Sequence, residues 1–469
     1  MKSMKLSLVL SKSHLLSFIK YFAVVLSFSG LAIRYLTDPP REAFHQLVHS
    51  SPLFYLLIIL GFCTMAFTAL FFSWLAFHAF RYRPIDGVPD AMLPTVTVVV
   101  PAFNEGQLVQ ETLRSLANSD YPKEKLQLIS IDDGSRDDTF QWIQKAKKEF
   151  PDRILALRLL RNSGKRKALY EGFIRATGDI LVTVDSDSIV EANTLRNMVS
   201  PFVGDPDCGA VAGNVRVLNR NKMIPRMLDV SFVFAFEFVR SAQSVMRTVL
   251  CTPGALAAYR RDLVMKVIEE WLNQTFFGRK ATIGEDRAIT NLILRQGKSV
   301  LFQSNANVFT NVPDRYRNLC KMLIRWGRSN VRETLKMQSY VFTNFRSHHR
   351  TSARLLFFMQ QWWCMFSTIM FLLTLAMTIL FPFQIILTTV AGGALWSSLP
   401  ALYYARNYSR REALWSYTYG IFHFAALAWI APYAFMTMWR SGWLTRTLPQ
   451  TTPQLPPVNL KETAKALLS

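Results

Sequence analysis

Cysteine is scarce and scattered in this chain: five thiols in 469 residues (Cys63, Cys208, Cys251, Cys320 and Cys364), with no C-x-x-C pair and no paired histidine spacing. That excludes a disulfide-stapled scaffold and a structural zinc site, and it suits a reducing, cytoplasmic setting. Acidic residues are also in deficit, 32 against 54 Lys and Arg, for a formal net charge of +22. The basic excess forms no Lys/Arg tract, which excludes a nucleic-acid-binding arm as the source of the charge. Lys2, Lys5, Lys12 and Lys20 sit beside apolar segments instead, where the positive-inside rule puts cations. Neither G-x-G-x-x-G nor G-x-x-x-x-G-K-[ST] occurs, so a dinucleotide fold and a P-loop are excluded. No solenoid-type repeat is visible.

Apolar residues fill part of what is missing. They make up 50% of the chain, with 35 Phe and 11 Trp, and charged residues only 18%, so the chain folds. Mean hydropathy is only +0.15, so a sizeable water-soluble portion dilutes whatever lies in lipid. Leu53 to Phe80 runs without a charge, well beyond the roughly 20 residues that cross a bilayer, and Arg81 and Arg83 follow it at once on the cytoplasmic side. Leu15 to Leu36 is a second apolar stretch, interrupted by Lys20. It reads as a span, although an interfacial helix has the same pattern.

Beyond Arg354 the membrane texture returns, with Leu355–Phe381, Phe383–Tyr404 and Leu414–Met438 as candidate spans and Pro382 as a tight turn between the first two. Arg406, Arg410 and Arg411 claim the cytoplasmic side, and so do Arg440 and Arg446. One straight span between the two groups cannot satisfy both. Either Leu414–Met438 is partly re-entrant or interfacial, or the tail lies outside.

Between these regions short β-rich runs alternate with polar helical stretches. Strands are expected at Thr95–Val100, Leu126–Ile131 and Ile180–Val184, and helices at Gln107–Asn118 and Asp138–Phe150. This rhythm predicts an α/β domain with a doubly wound, mainly parallel sheet and a ligand at the carboxyl ends of its strands. At those ends stand carboxylates. Asp132-Asp133-Gly134 follows one strand, where it can accept hydrogen bonds from a nucleoside or simply form an Asx-turn. Asp185-Ser186-Asp187 ends another, and this D-x-D spacing suits a hard divalent cation, Mg²⁺ or Mn²⁺, bridging to phosphate oxygens. Gly164-Lys165-Arg166 opens a helix where cations can hold phosphate or merely meet solvent. Glu285 and Asp286 can act as N-terminal helix charges, or one can be a general base. Arg325 and Trp326 lie just ahead of the membrane, where Arg can pair with a diphosphate and Trp can stack on a sugar or anchor at the interface.

In order, these pieces resemble the membrane-embedded, inverting family 2 glycosyltransferases: hyaluronan synthases, nodulation chitin-oligosaccharide synthases and, more distantly, cellulose synthases. The matching stretches are VVVPAFNE (98–105), IDDGS (131–135), NSGKRKA (162–168), VDSDS (184–188), IGEDRAIT (283–290) and IRWGRSNVRE (324–333). The resemblance implies a cytoplasmic GT-A domain at 91–315, inserted between an N-terminal membrane region (1–90) and an interfacial segment (316–353). C-terminal membrane helices (354–440) and a tail (441–469) follow. It implies a UDP-sugar donor at Asp132, Asp133, Glu105 and Lys165, a metal on Asp185 and Asp187, and Asp286, beside Glu285, as the base. Arg325 would meet the diphosphate, and Trp326 and Cys251 the growing glycan acceptor, which leaves through the bilayer of the plasma membrane. Two departures stand out. Met322 replaces the Gln of the Q-x-x-R-W pattern, which bears on processivity, and CTPGALAAYRR (251–261) reverses the Gly-Pro order of C-x-G-P, which bears on acceptor specificity.

Overall fold

The computed structural model describes residues 51–380 and 382–440, and the expected span Leu15–Leu36 and tail 441–469 lie outside them. Val96–Ala102 (β1) is apolar without alternation, and all seven of its residues are buried, as a strand covered on both faces requires. Val98 and Val100 enter one core with Leu128 and Val182, and Val99 enters the other with Ile129 and Leu181. The sheet thus has a packed layer on each side.

The remaining strands are Leu126–Asp132 (β2), Ile154–Arg158 (β3), Ile180–Val184 (β4), Ser188–Val190 (β5), Cys208–Val217 (β6) and Leu256–Arg260 (β7). Thr275–Phe276 (β8) and Arg279–Lys280 (β9) form a separate hairpin, and Ser299–Thr310 (β10) closes the series. The large sheet has the order β3-β2-β1-β4-β7-β6-β10-β5. It is an α/β, mainly parallel sheet, as expected. Its β3-β2-β1-β4 half is parallel throughout, whereas β7 runs antiparallel to both neighbours and β5 antiparallel to β10. Ala102 pairs with Asp132, and β4 lies against β1 in the same direction, so the carboxyl ends of β1, β2 and β4 converge. Three of the motif stretches leave the sheet there.

Among the described residues, three helices are long and apolar enough to cross a membrane, the first of them Pro52–Arg81 (α1). Met223–Phe232 (α2), Glu285–Arg295 (α3) and Tyr316–Val341 (α4) belong to the α/β domain and its edge. Arg350–Leu380 (α5) and Pro382–Asn407 (α6) are the other two long apolar helices, with Pro382 starting α6 as a first-turn proline can. The expected span Leu414–Met438 is not one straight helix. Arg410–Leu427 and Ile430–Met436 meet at 46°, because Pro432 has no N–H for the carbonyl of Ala428. Both sides of the bend return to α4: Tyr316 O–H donates to the Ala426 carbonyl at 2.7 Å, and Arg328 Nε donates to Thr437 Oγ1 at 3.1 Å. The bent segment is thus packed along α4 on both sides of its break.

Candidate active site

One cavity of about 610 Å³ opens where the strand ends meet α2, α3 and α4. Its walls bring together Glu105, Asp133, Lys165, Asp185, Asp187, Cys251, Glu285, Asp286, Arg325 and Trp326. Asp132 is the exception. It is fully buried at the end of β2 and does not reach the wall; its Oδ1 accepts the Ser135 N–H at 2.9 Å and its Oδ2 lies 3.2 Å from Arg158 Nε. The Asx-turn alternative therefore describes Asp132, and the cavity is reached by the next carboxylate.

Asp133 is clamped by main chain. Its two oxygens accept the N–H groups of Ser163 and Gly164, each at 2.8 Å. Burial raises its pKa above the usual carboxylate value, and those two amides offset part of the rise. The clamp ties the IDDGS turn to the NSGK turn, and Lys165 follows as the first residue of its helix. Lys165 Nζ bonds to Asp185 and lies 3.3 Å from Glu285 Oε1. Burial alone would lower the pKa of this ammonium, but Asp185 and then Glu285 outweigh it and hold it above the ordinary lysine value.

Asp185 and Asp187 both line the cavity, and Thr310 Oγ1 donates to Asp187 Oδ1 at 3.3 Å. Among the described residues no group of three or more His, Cys, Asp or Glu side chains could hold a metal. Two hard carboxylates fit Mg²⁺ or Mn²⁺ in the mode that takes its other ligands from phosphate and water. A lysine drawn in among Asp185 and Glu285 shows that this corner of the cavity stabilises positive charge.

Glu285 and Asp286 occupy the first turn of α3, where the helix dipole favours carboxylates. Gly284 before them has φ +73°, and a Cβ there would lie 1.8 Å from Ser329 Oγ, so only glycine lets α3 start this close to α4. Arg332 bonds to the Ile283 carbonyl, Arg287 Nη1 donates to Asn330 Oδ1 at 2.7 Å, and Asn291 Nδ2 donates to the Glu333 carbonyl at 2.7 Å. The tail of the IRWGRSNVRE stretch is thus the strut that orients the carboxylate pair. Asp286 accepts the Arg287 N–H at 2.8 Å and the Gly254 N–H at 3.2 Å. Burial, and next the charge of Glu285, hold Asp286 above the ordinary carboxylate range; burial also pushes Glu285 up, but Lys165 foremost and Arg325 and Arg166 after it bring it below. The two neighbours are thereby pushed to opposite sides of the ordinary carboxylate range.

The reversed Pro253-Gly254 order has a physical consequence. A proline at 254 could not donate to Asp286, and a Cβ there would lie 2.6 Å from Lys165 Nζ. Cys251 Sγ lies 3.9 Å from Asp286 Oδ2, and burial, followed by that carboxylate, pushes the thiol up to about 12, so it is a neutral wall. Trp326 lines the cavity and packs on Phe232 and Phe236, with ring centroids 5.8 and 6.0 Å away. Met322 lines the same wall. The sequence reading missed Phe232, Phe236 and Arg240; the visible signal was four phenylalanines at alternate positions from 232 to 238, a spacing that suits neither face of an α-helix. Arg240 is buried on the cavity wall with its guanidinium 4.3 Å over the Phe236 ring, and its Nη1 makes no hydrogen bond.

Comparison with known proteins places this geometry. Residues 94–329 match the family described as glycosyltransferase like family 2. A hyaluronan synthase of Streptococcus pyogenes is 30% identical over 381 residues, covering 78% of this chain and 86% of that protein. An N-acetylglucosaminyltransferase of Rhizobium meliloti is 34% identical over 261 residues, 54% of this chain and 61% of that protein. Among solved structures, a mannosyltransferase of Pyrobaculum calidifontis in complex with GDP-Man and Mn²⁺ is 23% identical at a TM-score of 0.49, covering 75% of this chain and 96% of that one.

Proposed function

The chain belongs to the glycosyltransferase like family 2, and from that premise we propose that it polymerises a UDP-activated sugar into a β-linked, GlcNAc-containing glycan and passes the product across the membrane. The observation that carries this reading is the shared cavity, whose walls hold the D-x-D pair with Lys165, Asp286 and an aromatic platform of Trp326, Phe232 and Phe236. Asp133 would bind the nucleoside, with Glu105 beside it. Lys165 and Arg325 would face the diphosphate, whose charge a Mg²⁺ or Mn²⁺ ion held by Asp185 and Asp187 would neutralise when bound.

Asp286 would take the proton of the acceptor hydroxyl as its oxygen attacks the anomeric carbon. The bond from that carbon to the diphosphate breaks, UDP leaves with the electron pair, and the configuration inverts. A raised pKa suits Asp286 to this role, because a base works best when its conjugate acid titrates near the operating pH. Glu285, kept ionised by Lys165, would position that lysine rather than accept the proton. Trp326, Phe232 and Phe236 would stack on the acceptor sugar.

Export is supported by Gln360, a polar residue of α5 that lines the same cavity, so the acceptor end reaches a membrane helix. The α/β domain would then lie on the cytoplasmic face of the plasma membrane. Arg240 favours an acidic glycan of the hyaluronan type over a neutral chitin-like one, since a buried guanidinium with an unsatisfied N–H suits a carboxylate. A second reading, transfer of a single sugar to a membrane lipid, is favoured by Met322, an apolar side chain on the cavity wall.

The deciding experiment gives labelled UDP-GlcNAc to membranes containing the protein, with and without UDP-GlcA, UDP-Glc and Mn²⁺, and sizes the product. Polymer that requires UDP-GlcA supports the acidic glycan, and polymer from UDP-GlcNAc alone supports a chitin-like one. A labelled lipid without polymer moves the assignment to single transfer. No UDP release from any UDP-sugar with Mg²⁺ or Mn²⁺ rejects both.

A further inference from the structure

We infer that Glu237 is a positioning residue that ties the acceptor wall of the cavity to the membrane helix α6, and that this tie sustains chain elongation. The inference rests on the polymer reading above. The helix that begins at Met223 is interrupted: Val233–Phe238 forms a π-helical turn before α-helix resumes at Val239. Such turns are rare and concentrate at functional sites, because the inserted residue rotates the faces on either side. Phe232, just before this turn, Phe236 within it and Arg240 just after it all lie on the cavity wall.

Glu237 points the opposite way and is only 8% exposed. Its Oε1 accepts the Tyr403 O–H at 3.0 Å, its Oε2 accepts the Tyr408 O–H, and Asn214 of β6 donates to Oε2 at 3.5 Å. The two hydroxyl donors come from the carboxyl-terminal end of α6 and the residue just beyond it. Two turns earlier Asp229, also buried, repeats the arrangement. It accepts the Tyr404 O–H at 2.6 Å and faces Arg216 and Arg220 at 3.6 and 3.4 Å, with the Arg216 guanidinium 3.9 Å over the Tyr408 ring.

A buried carboxylate depends on its donors. Since both hydroxyl donors of Glu237 belong to one end of α6, any slip of that helix against the π-helical turn removes both at once. Phe236, the neighbour of Glu237, carries Trp326 on the other side of the turn. The aromatic platform is thereby held in register with the membrane helices while the glycan waits between transfers. Donor chemistry, at the far end of the cavity, does not involve these groups.

The test uses the full-length protein in membranes, with Y403F/Y408F, which removes both hydroxyl donors and keeps both rings. The expected result is a mean product length about threefold shorter or less, a higher KM for an added oligosaccharide acceptor, and acceptor-free UDP release within about twofold of the parent. E237Q, which keeps one acceptor oxygen, is expected between the parent and E237A in product length. Unchanged length in Y403F/Y408F overturns the inference. So does a parallel loss of length and UDP release, which marks a merely structural role. A parent protein that makes no polymer overturns the polymer reading, and this inference with it; polymer from the parent with unaltered length in the variant overturns the inference alone.

Discussion

The two ends of the cavity are built in different ways. At the donor end, Asp133 is held by the main-chain N–H groups of Ser163 and Gly164, and the carboxylates emerge from the adjacent ends of parallel strands. At the acceptor end, Trp326, Phe232 and Phe236 come from two helices nearly a hundred residues apart and rest on membrane helix α6 through Glu237 and Asp229. A charged, directional ligand is met by groups fixed by backbone geometry. The glycan proposed at the other end would meet ring faces whose position depends on helix packing. The difference implies that damage at the donor end abolishes chemistry, while damage at the acceptor end shortens products.

Asp286 sits between the two ends, and its loss is expected to be the most severe. D286N should lower kcat by about 10²- to 10⁴-fold with little change in the KM for UDP-sugar, read by UDP release. A comparable D286N turnover would reject the base assignment and blur the line between the ends. At the donor end, D185N/D187N should cost about a hundredfold or more and abolish the response to Mn²⁺ in a titration after chelation. If the double variant kept its metal response, the cation would belong elsewhere in the cavity. At the acceptor end, W326A should raise the KM for an oligosaccharide acceptor about tenfold, with acceptor-free UDP release near the parent value. An equal fall in both would show that the two ends are not separable.

The mildest prediction concerns pH. Asp286 must be ionised to take a proton, so the rate should fall as pH drops through its raised pKa, placing the acid limb above the ordinary carboxylate range. Exchanging the order at 253 and 254 (P253G/G254P) removes the Gly254 N–H and displaces Lys165, both of which favour the ionised form. Each loss raises the Asp286 pKa further, and the acid limb should move to higher pH. A limb that moves down, or stays, would show that Gly254 does not set the basicity of Asp286.

How far the site was legible follows the same division. The donor end could be read because its motifs are local: IDDGS, NSGK and VDSDS each combine an apolar strand or turn with its polar cargo in a few residues. Even there, sequence could not choose between Asp132 and Asp133. Both follow β2, and only the main chain's path decides that Asp132 turns inward to Ser135 while Asp133 meets the cavity. The acceptor end was legible at Trp326 and Cys251 through resemblance, but not at Phe232, Phe236 or Arg240. Their i, i+4, i+8 spacing is one helical face, but the alternating phenylalanines from 232 to 238 hide which face meets the cavity, and only the packing decides it. For the last apolar segment the arginine pattern already left open a departure from one straight span, but hydropathy counts residues and does not register the missing N–H of Pro432, so the place of the 46° bend came only from the structure.

Composition and pattern by themselves pointed to an α/β domain between apolar runs long enough to cross a bilayer, and the ordered motifs, through their resemblance to family 2 glycosyltransferases, to its activity. Burial of unalternated Val/Ile/Leu runs forces a sheet covered on both faces, and apolar runs longer than a bilayer's thickness have no other stable place. Tertiary structure alone decided that Glu285 is held below and Asp286 above the ordinary carboxylate range, the difference on which the proposed base assignment rests. Glu285 and Asp286 are adjacent residues of the same chemistry on the same helical turn. Their difference arises only from what the fold brings against each: Lys165 at 3.3 Å to Glu285, and to Asp286 burial and the charge of Glu285, which the amides of Arg287 and Gly254 offset only in part.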